Sequence, residues 1–139
     1  MLWRTTIGVL VGLVLWWILF FVIGVGIGLA WPDFREAARV MMQEQSYRLF
    51  TTPMLFANYV LFAVAGLVAG RIATVIDKSG RASLIAAGLL FLYAGAQHYL
   101  RLWNQLPDWY NLTIPIVIAA FVWLGSAPRP RADGSARER

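Results

Sequence analysis

Crossing about 30 Å of hydrocarbon takes roughly 20 mostly apolar residues at about 1.5 Å of helical rise each, and this chain holds four stretches that approach or exceed that length. They cover residues 5–30, 53–76, 82–103 and 109–125. With no water at that depth, each stretch must satisfy its own backbone N–H and C=O groups, which an α-helix does. The expected fold class is therefore all-α: an integral-membrane antiparallel four-helix bundle, with residues 1–126 as one transmembrane domain. The first stretch carries no charge. It is nearly twice the apolar core of about 7–15 residues found in a signal peptide, so it reads as an uncleaved helix anchored by Arg4. The fourth is near the lower limit of about 17 residues and has Pro115 close to its start. A re-entrant or tilted interfacial segment is the alternative there.

Composition closes off other classes. Of the 139 residues, 60% are hydrophobic and 14% charged, against about 45–50% apolar and about 25% charged in soluble domains. An ordinary soluble domain is excluded. The absence of Cys removes disulfides and thiolate-ligated metals. The formal charge of +5 reports topology here and points to no nucleic-acid partner. If both termini share a side, Arg4, Arg71, Lys78, Arg81, Arg129, Arg131, Arg137 and Arg139 lie together, against Arg35, Arg39, Arg48 and Arg101 opposite. Eight against four places both termini in the cytoplasm, and a bacterial inner membrane is the expected setting. Residues 127–139, rich in Arg, Pro and small residues, are expected to form a disordered basic cytoplasmic tail.

The connector at 31–52 is too polar to insert but patterned. Phe34, Ala38, Met41, Met42, Gln45 and Leu49 fall near one helical face, with Arg35, Glu36, Arg39, Gln43 and Ser46 largely on another, predicting an amphipathic helix over 33–50 on the outer surface. Asp33 with Glu36 has the spacing of a capping pair, and Glu44 with Arg48 is an i,i+4 ion pair in the favourable order. Thr52-Pro53 reads as cap and first turn of the second span. The connector is either a plain link resting on lipid and bundle or a lid over an outward cavity. The stretch 77–81 is a tight turn joining spans two and three.

Polar residues inside the spans carry the functional signal, because they are costly in lipid and face the interior. Counting rise from each span's end puts Asn58, Gln97, His98 and Thr113 in one layer, roughly 6–8 Å below the outer edge. Arg101 stands one turn above His98, with Asp33, Glu36 and Asp108 as charge partners. Gly24 with Gly28 and Gly66 with Gly70 have G-x-x-x-G spacing and are expected at helix contacts. The polar layer reads in three ways: interhelical hydrogen bonds fixing register, an outward pocket for a lipid headgroup, quinone or periplasmic ligand, or an active site. One His, no Cys and no carboxylate within the spans weigh against an enzyme and supply no metal or cofactor site.

The stretch Leu102-Trp103-Asn-Gln-Leu-Pro107-Asp-Trp109-Tyr110-Asn-Leu112 resembles uncharacterised small four-helix bacterial inner-membrane proteins. The resemblance covers 11 of the 139 residues; it implies a hairpin of spans three and four and no activity. Small four-helix multidrug exporters match in length and span number, but their embedded acid in the first helix has no counterpart here. The expectation is a non-enzymatic accessory or scaffold protein whose partners are the bilayer and another membrane protein or a second copy. The alternative is a binding or transport unit for a small molecule, lipid or quinone.

Overall fold

A computed structural model describes residues 2–126; the tail expected at 127–139 lies outside the described residues. The chain is all-helical: α1 (Leu2–Ala30), α2 (Pro32–Glu44), α3 (Thr52–Asp77), α4 (Arg81–Gln97) and α5 (Asp108–Gly125), with α4 running directly into one π-helical turn (His98–Leu102). Four helices are long and apolar enough to cross a membrane: α1, α3, α4 with its π turn, and α5. Despite Pro115, α5 is one continuous helix of 18 residues.

What buries these helices against one another is rows of residues at i,i+4 spacing, rich in Ala on α3 and α4 and made of larger side chains on α5. On α3 the buried stripe is Leu61, Ala65, Ala69, Ala73 and Asp77; on α4 it is Ala82, Ala86, Leu90 and Ala94, continued by His98 in the π turn. On α5 it is Tyr110, Ile114, Ile118 and Val122. Such i±4 rows are the ridges along which helices interdigitate, and short side chains let backbones approach. Larger apolar side chains point outward instead: Val60, Leu84 and Leu92 are 64%, 61% and 66% exposed.

Specific contacts fix the directions. A Cβ added at Gly8 would meet Ala82, and one at Gly12 would meet Ala73, while Gly24 lies beside Leu61, so α1 runs antiparallel to α3. Tyr59 hydrogen-bonds Thr113, and Gly66 and Gly70 face Val122, so α3 and α5 run the same way. The Ser83 hydroxyl donates to the Val122 carbonyl at 3.0 Å, and His98 meets Asn111, which sets α4 antiparallel to α5. At the turn between α3 and α4, Lys78 and Gly80 adopt left-handed backbone. Asp77, the buried last residue of α3, accepts from Thr5 at 2.5 Å, from Ser79, and from the Ala82 N–H at 3.2 Å. One carboxylate thus caps α4 and ties the start of α1 to the hairpin.

The connector departs from expectation. The helix expected over 33–50 stops at Glu44, where Gln45 turns left-handed with φ of 52°. The chain then folds back, its Tyr47 N–H donating to the Gln105 side chain at 3.3 Å, and Tyr47 and Phe50 pack on the core. The Glu44–Arg48 pair forms at 2.9 Å across this break. Asp33 and Glu36 make no capping pair: Pro32 opens α2 with no side-chain cap, and Glu36 is held by two Arg39 donors at 2.8 and 2.5 Å. Thr51, not Thr52, flanks α3, again without a side-chain cap. The buried face of α2 is Phe34, Ala37 and Val40, whereas Met42 and Leu49 are exposed.

Candidate functional site

At the end that carries α2, the helices part around a cavity of about 470 Å³, within the range of about 300–1,000 Å³ typical of small-molecule sites. Its origin is visible in α1. The inward stripe there is Phe20, Gly24 and Gly28, and two glycines in succession leave volume that side chains would fill. A Cβ at Gly24 would have only the Leu61 Cδ1 within 4 Å, at 3.6 Å, and one at Gly28 would meet Arg35 on α2 at 3.3 Å. From Phe20 to Leu29 the cavity follows α1 for about 14 Å at the helical rise. Phe20 and Phe62 stack at 5.3 Å to form its floor, with Trp16 stacked beneath both at 5.7 and 5.8 Å. Phe34, Ala38, Met41 and Met42 of α2 form the roof, and Leu55, Asn58 and Leu61 one wall. His98, Leu102, Leu106 and Tyr110 form the facing wall. Phe21, Val25 and Leu29, one residue round α1 from the inward stripe, line the cavity yet are well exposed and mark its open side.

The wall that carries His98 is held by a single amide. Asn111, wholly buried, aims its NH₂ at the carbonyls of Leu102, Trp103 and Leu106 at 3.4, 3.3 and 3.0 Å. These belong to the π turn and the loop that ends it, where the Leu102 carbonyl also accepts from the Gln105 and Leu106 N–H groups at 2.9 and 3.2 Å. With the NH₂ so committed, the Asn111 Oδ1 accepts from His98 Nδ1 at 2.8 Å. The neutral ring then keeps its Nε2 lone pair free. His98 is 8% exposed and lines the cavity, and Nε2 has no protein partner among the described residues. Isolated π turns inside α-helices recur at functional sites; here the turn carries His98. Outside the spans, burial pushes the Tyr47 hydroxyl above its ordinary pKa, keeping a neutral ring in the lining. The hydrogen bond from Arg39 holds Glu36 below the usual carboxylate range.

Of the four residues placed in one layer and Arg101 above it, the structure brings Asn58 and His98 to the same cavity. Thr113 lies on another face of α5, bonded to Tyr59 and to the Trp109 carbonyl at 2.7 Å. There it borders a shallower groove of about 430 Å³ between α4 and α5, with Leu92, Gly95, Ala96, Pro115 and Ile116. Gln97 is half-buried and outside the cavity, and Arg101 is exposed. Neither Asp33, Glu36 nor Asp108 pairs with Arg101: the ion pairs among the described residues are Arg39–Glu36 and Arg48–Glu44. Gly66 and Gly70 sit against α5, while Gly24 and Gly28 border the cavity. Sequence reasoning passed over Asn111, whose position one helical step from the aromatic anchors hid it among interface residues, and Tyr110, Tyr47 and Phe50. Among the described residues, no three His, Asp or Glu side chains gather closely enough to hold a metal.

No family model matches the chain, and no curated protein or solved structure matches it either.

Proposed function

We propose that this chain is a multi-pass membrane protein that binds an apolar or lipid-like molecule without transforming it, in a cavity open near the outer surface. The supporting observation is the cavity itself, apolar over most of its lining, with Asn58 and His98 between the helices and Arg35 and Arg39 of α2 among its polar points. In this arrangement α1, α3, α4 and α5 form an antiparallel four-helix bundle in a bacterial inner membrane, with both termini in the cytoplasm and α2 lying on the outer surface as a roof. Mass spectrometry of the protein released from native lipid discs tests the binding role. A small apolar molecule retained at one per chain is the expected result, and release of bare chain at every collision energy would count against it.

Orientation has its own test, made simple by a chain without Cys. Single cysteines at Ser46, after α2, and at Lys78, in the hairpin turn, are expected to label with a membrane-impermeant maleimide from opposite faces, Ser46 from outside. Labelling of both from one face breaks the four-span arrangement.

An accessory or scaffold role is the second reading, supported by the lipid-facing groove between α4 and α5, where Gly95, Ala96 and Pro115 leave room for another helix. Co-purification of a stoichiometric membrane partner, lost on Ala96→Leu, is the result that would favour it.

A further inference from the structure

Resting on the binding role just proposed, we infer that the occupant of the cavity is a single-chain amphiphile with an anionic head, a fatty carboxylate in its simplest form. The chain lies between α1 and α3 with its end toward the Phe20–Phe62 floor, and the head sits at Arg35. Three observations on the molecule lead there. First, the space is long and largely apolar: it follows α1 from Phe20 to Leu29 for about 14 Å at the helical rise, which suits one extended acyl chain. Second, the open side is bordered by Phe21, Val25 and Leu29, exposed apolar residues of a helix long enough to span a bilayer. That lateral mouth faces acyl chains, so the ligand enters from the membrane. Third, the charge at the mouth is positive and uncompensated at one residue. Arg39 is neutralised by Glu36 and also bonded to Gln43 at 2.5 Å, but Arg35 lines the cavity and makes no ion pair or side-chain hydrogen bond among the described residues. An Arg at the interface is suited to a carboxylate, which it can bind through two N–H donors. Deeper in, the unpartnered His98 Nε2 and the Asn58 amide give the lower chain a polar point that a hydroxyl on the ligand would satisfy.

Equilibrium binding of radiolabelled palmitate to the purified full chain in a non-ionic detergent tests this, with hexadecanol as the uncharged probe and dipalmitoyl phosphatidylglycerol as the two-chain anionic probe. Palmitate is expected to bind at one per chain and at least tenfold more tightly than hexadecanol, as one charge-assisted contact implies. Arg35→Gln is expected to erase that preference and leave hexadecanol unchanged; Arg35→Lys is expected to keep most of it. Gly24→Leu, which fills the cavity at a point where only Leu61 is near, is expected to weaken both single-chain probes at an unchanged thermal midpoint. Equal binding of palmitate and hexadecanol, or indifference of palmitate to Arg35→Gln, overturns the anionic head and spares the binding role. Phosphatidylglycerol binding as tightly as palmitate overturns the single chain. Binding untouched by Gly24→Leu overturns the cavity as the site, and the proposed binding role with it.

Discussion

Replacing Gly70 with alanine is expected to cost about 3 kcal/mol or more of stability, and replacing it with leucine to leave no folded protein, although neither change adds a charge or removes a hydrogen bond. A Cβ at this position would stand 2.0 Å from the Val122 carbonyl oxygen and 2.9 Å from its carbon. The obstacle is backbone, so no rotamer change relieves it. Overpacking in cores typically costs about 1–3 kcal/mol when side chains can give way; here α3 and α5 must separate along the contact. Separation also opens Gly125, whose own added Cβ would lie 2.4 Å from the Leu67 carbonyl, and Gly66, packed on Phe121 and Val122. It further strains the Ser83 bond, since the same Val122 carbonyl accepts it. Gly88 and Gly95 are the internal controls, because nothing lies within 4 Å of a Cβ at either. Their alanine variants are expected to match the parent or gain up to about 1 kcal/mol from helix propensity. Thermal unfolding in detergent, followed by circular dichroism, reads all of these. A Gly70→Ala protein melting with the parent would mean that α3 and α5 do not cross at this point.

Gly70 also shows what hydrophobic patterning could and could not reveal. The four long helices were legible because hydrocarbon thickness sets a minimum apolar length, and each stretch meets it. Which face of each helix turns inward was not legible, because lipid is as apolar as a protein interior and periodicity in hydrophobicity fades. The information lies in side-chain size instead: Ala65, Ala69 and Ala73 are buried and Val60, Val64 and Val68 are exposed. The same rule would have placed His98, which continues the Ala82, Ala86, Leu90, Ala94 row by one more step of four. On α2, counting every apolar residue alike set Met42 and Leu49 inside, where the structure has Ala37 and Val40. Near an interface an exposed Met and a buried Val look identical to an amphipathicity count.

The site was half legible for a related reason. Helical rise gives depth, which set Asn58 and His98 near one level, and the two line one cavity. Depth carries no azimuth, and Thr113, close in level, faces the groove on the far side of α5. The cavity itself could not be read from the polar residues, since glycines make it. Gly24 and Gly28 have the spacing of a packing motif, and Gly28 does pack closely on Arg35 of α2, yet Gly24 has only the end of Leu61 near it where Gly66 and Gly70, at the same spacing, face a backbone. Only the neighbouring helix decides which, and that neighbour is not written in the local sequence. The π turn was equally hidden, because it depends on a side chain 13 residues from His98 that accepts its proton and collects its carbonyls.

That side chain carries the second large effect. Asn111→Leu keeps the branching at Cγ and removes every polar contact the amide makes, so its expected cost of about 3 kcal/mol or more comes from the groups left behind together with the bulk of two methyls at a fully buried position. The His98 Nδ1–H loses its acceptor in a buried position, and the carbonyls of Trp103 and Leu106 lose their donor, while the Leu102 carbonyl keeps the Gln105 and Leu106 N–H groups. Each buried polar group stranded in this way costs about 1–3 kcal/mol. His98→Phe is expected to cost less, about 1–2 kcal/mol, because Asn111 keeps its three carbonyls and only its Oδ1 is stranded. The double variant distinguishes a linked pair from two separate losses. If the imidazole and the amide are bonded, the double change costs less than the sum of the singles by about 1–2 kcal/mol, whereas independent sites add within about 0.3–0.5 kcal/mol. The carbonyl cluster predicts a further asymmetry: with His98 already replaced, Asn111→Leu remains costly, because the end of the π turn is still uncapped. Hydrogen exchange at Trp103, Asn104 and Leu106 is expected to accelerate in both proteins that lack Asn111 and to stay slow in His98→Phe alone. Additive costs would remove the His98–Asn111 bond from the site, and unchanged exchange at those three amides would remove the amide's role in holding the cavity wall.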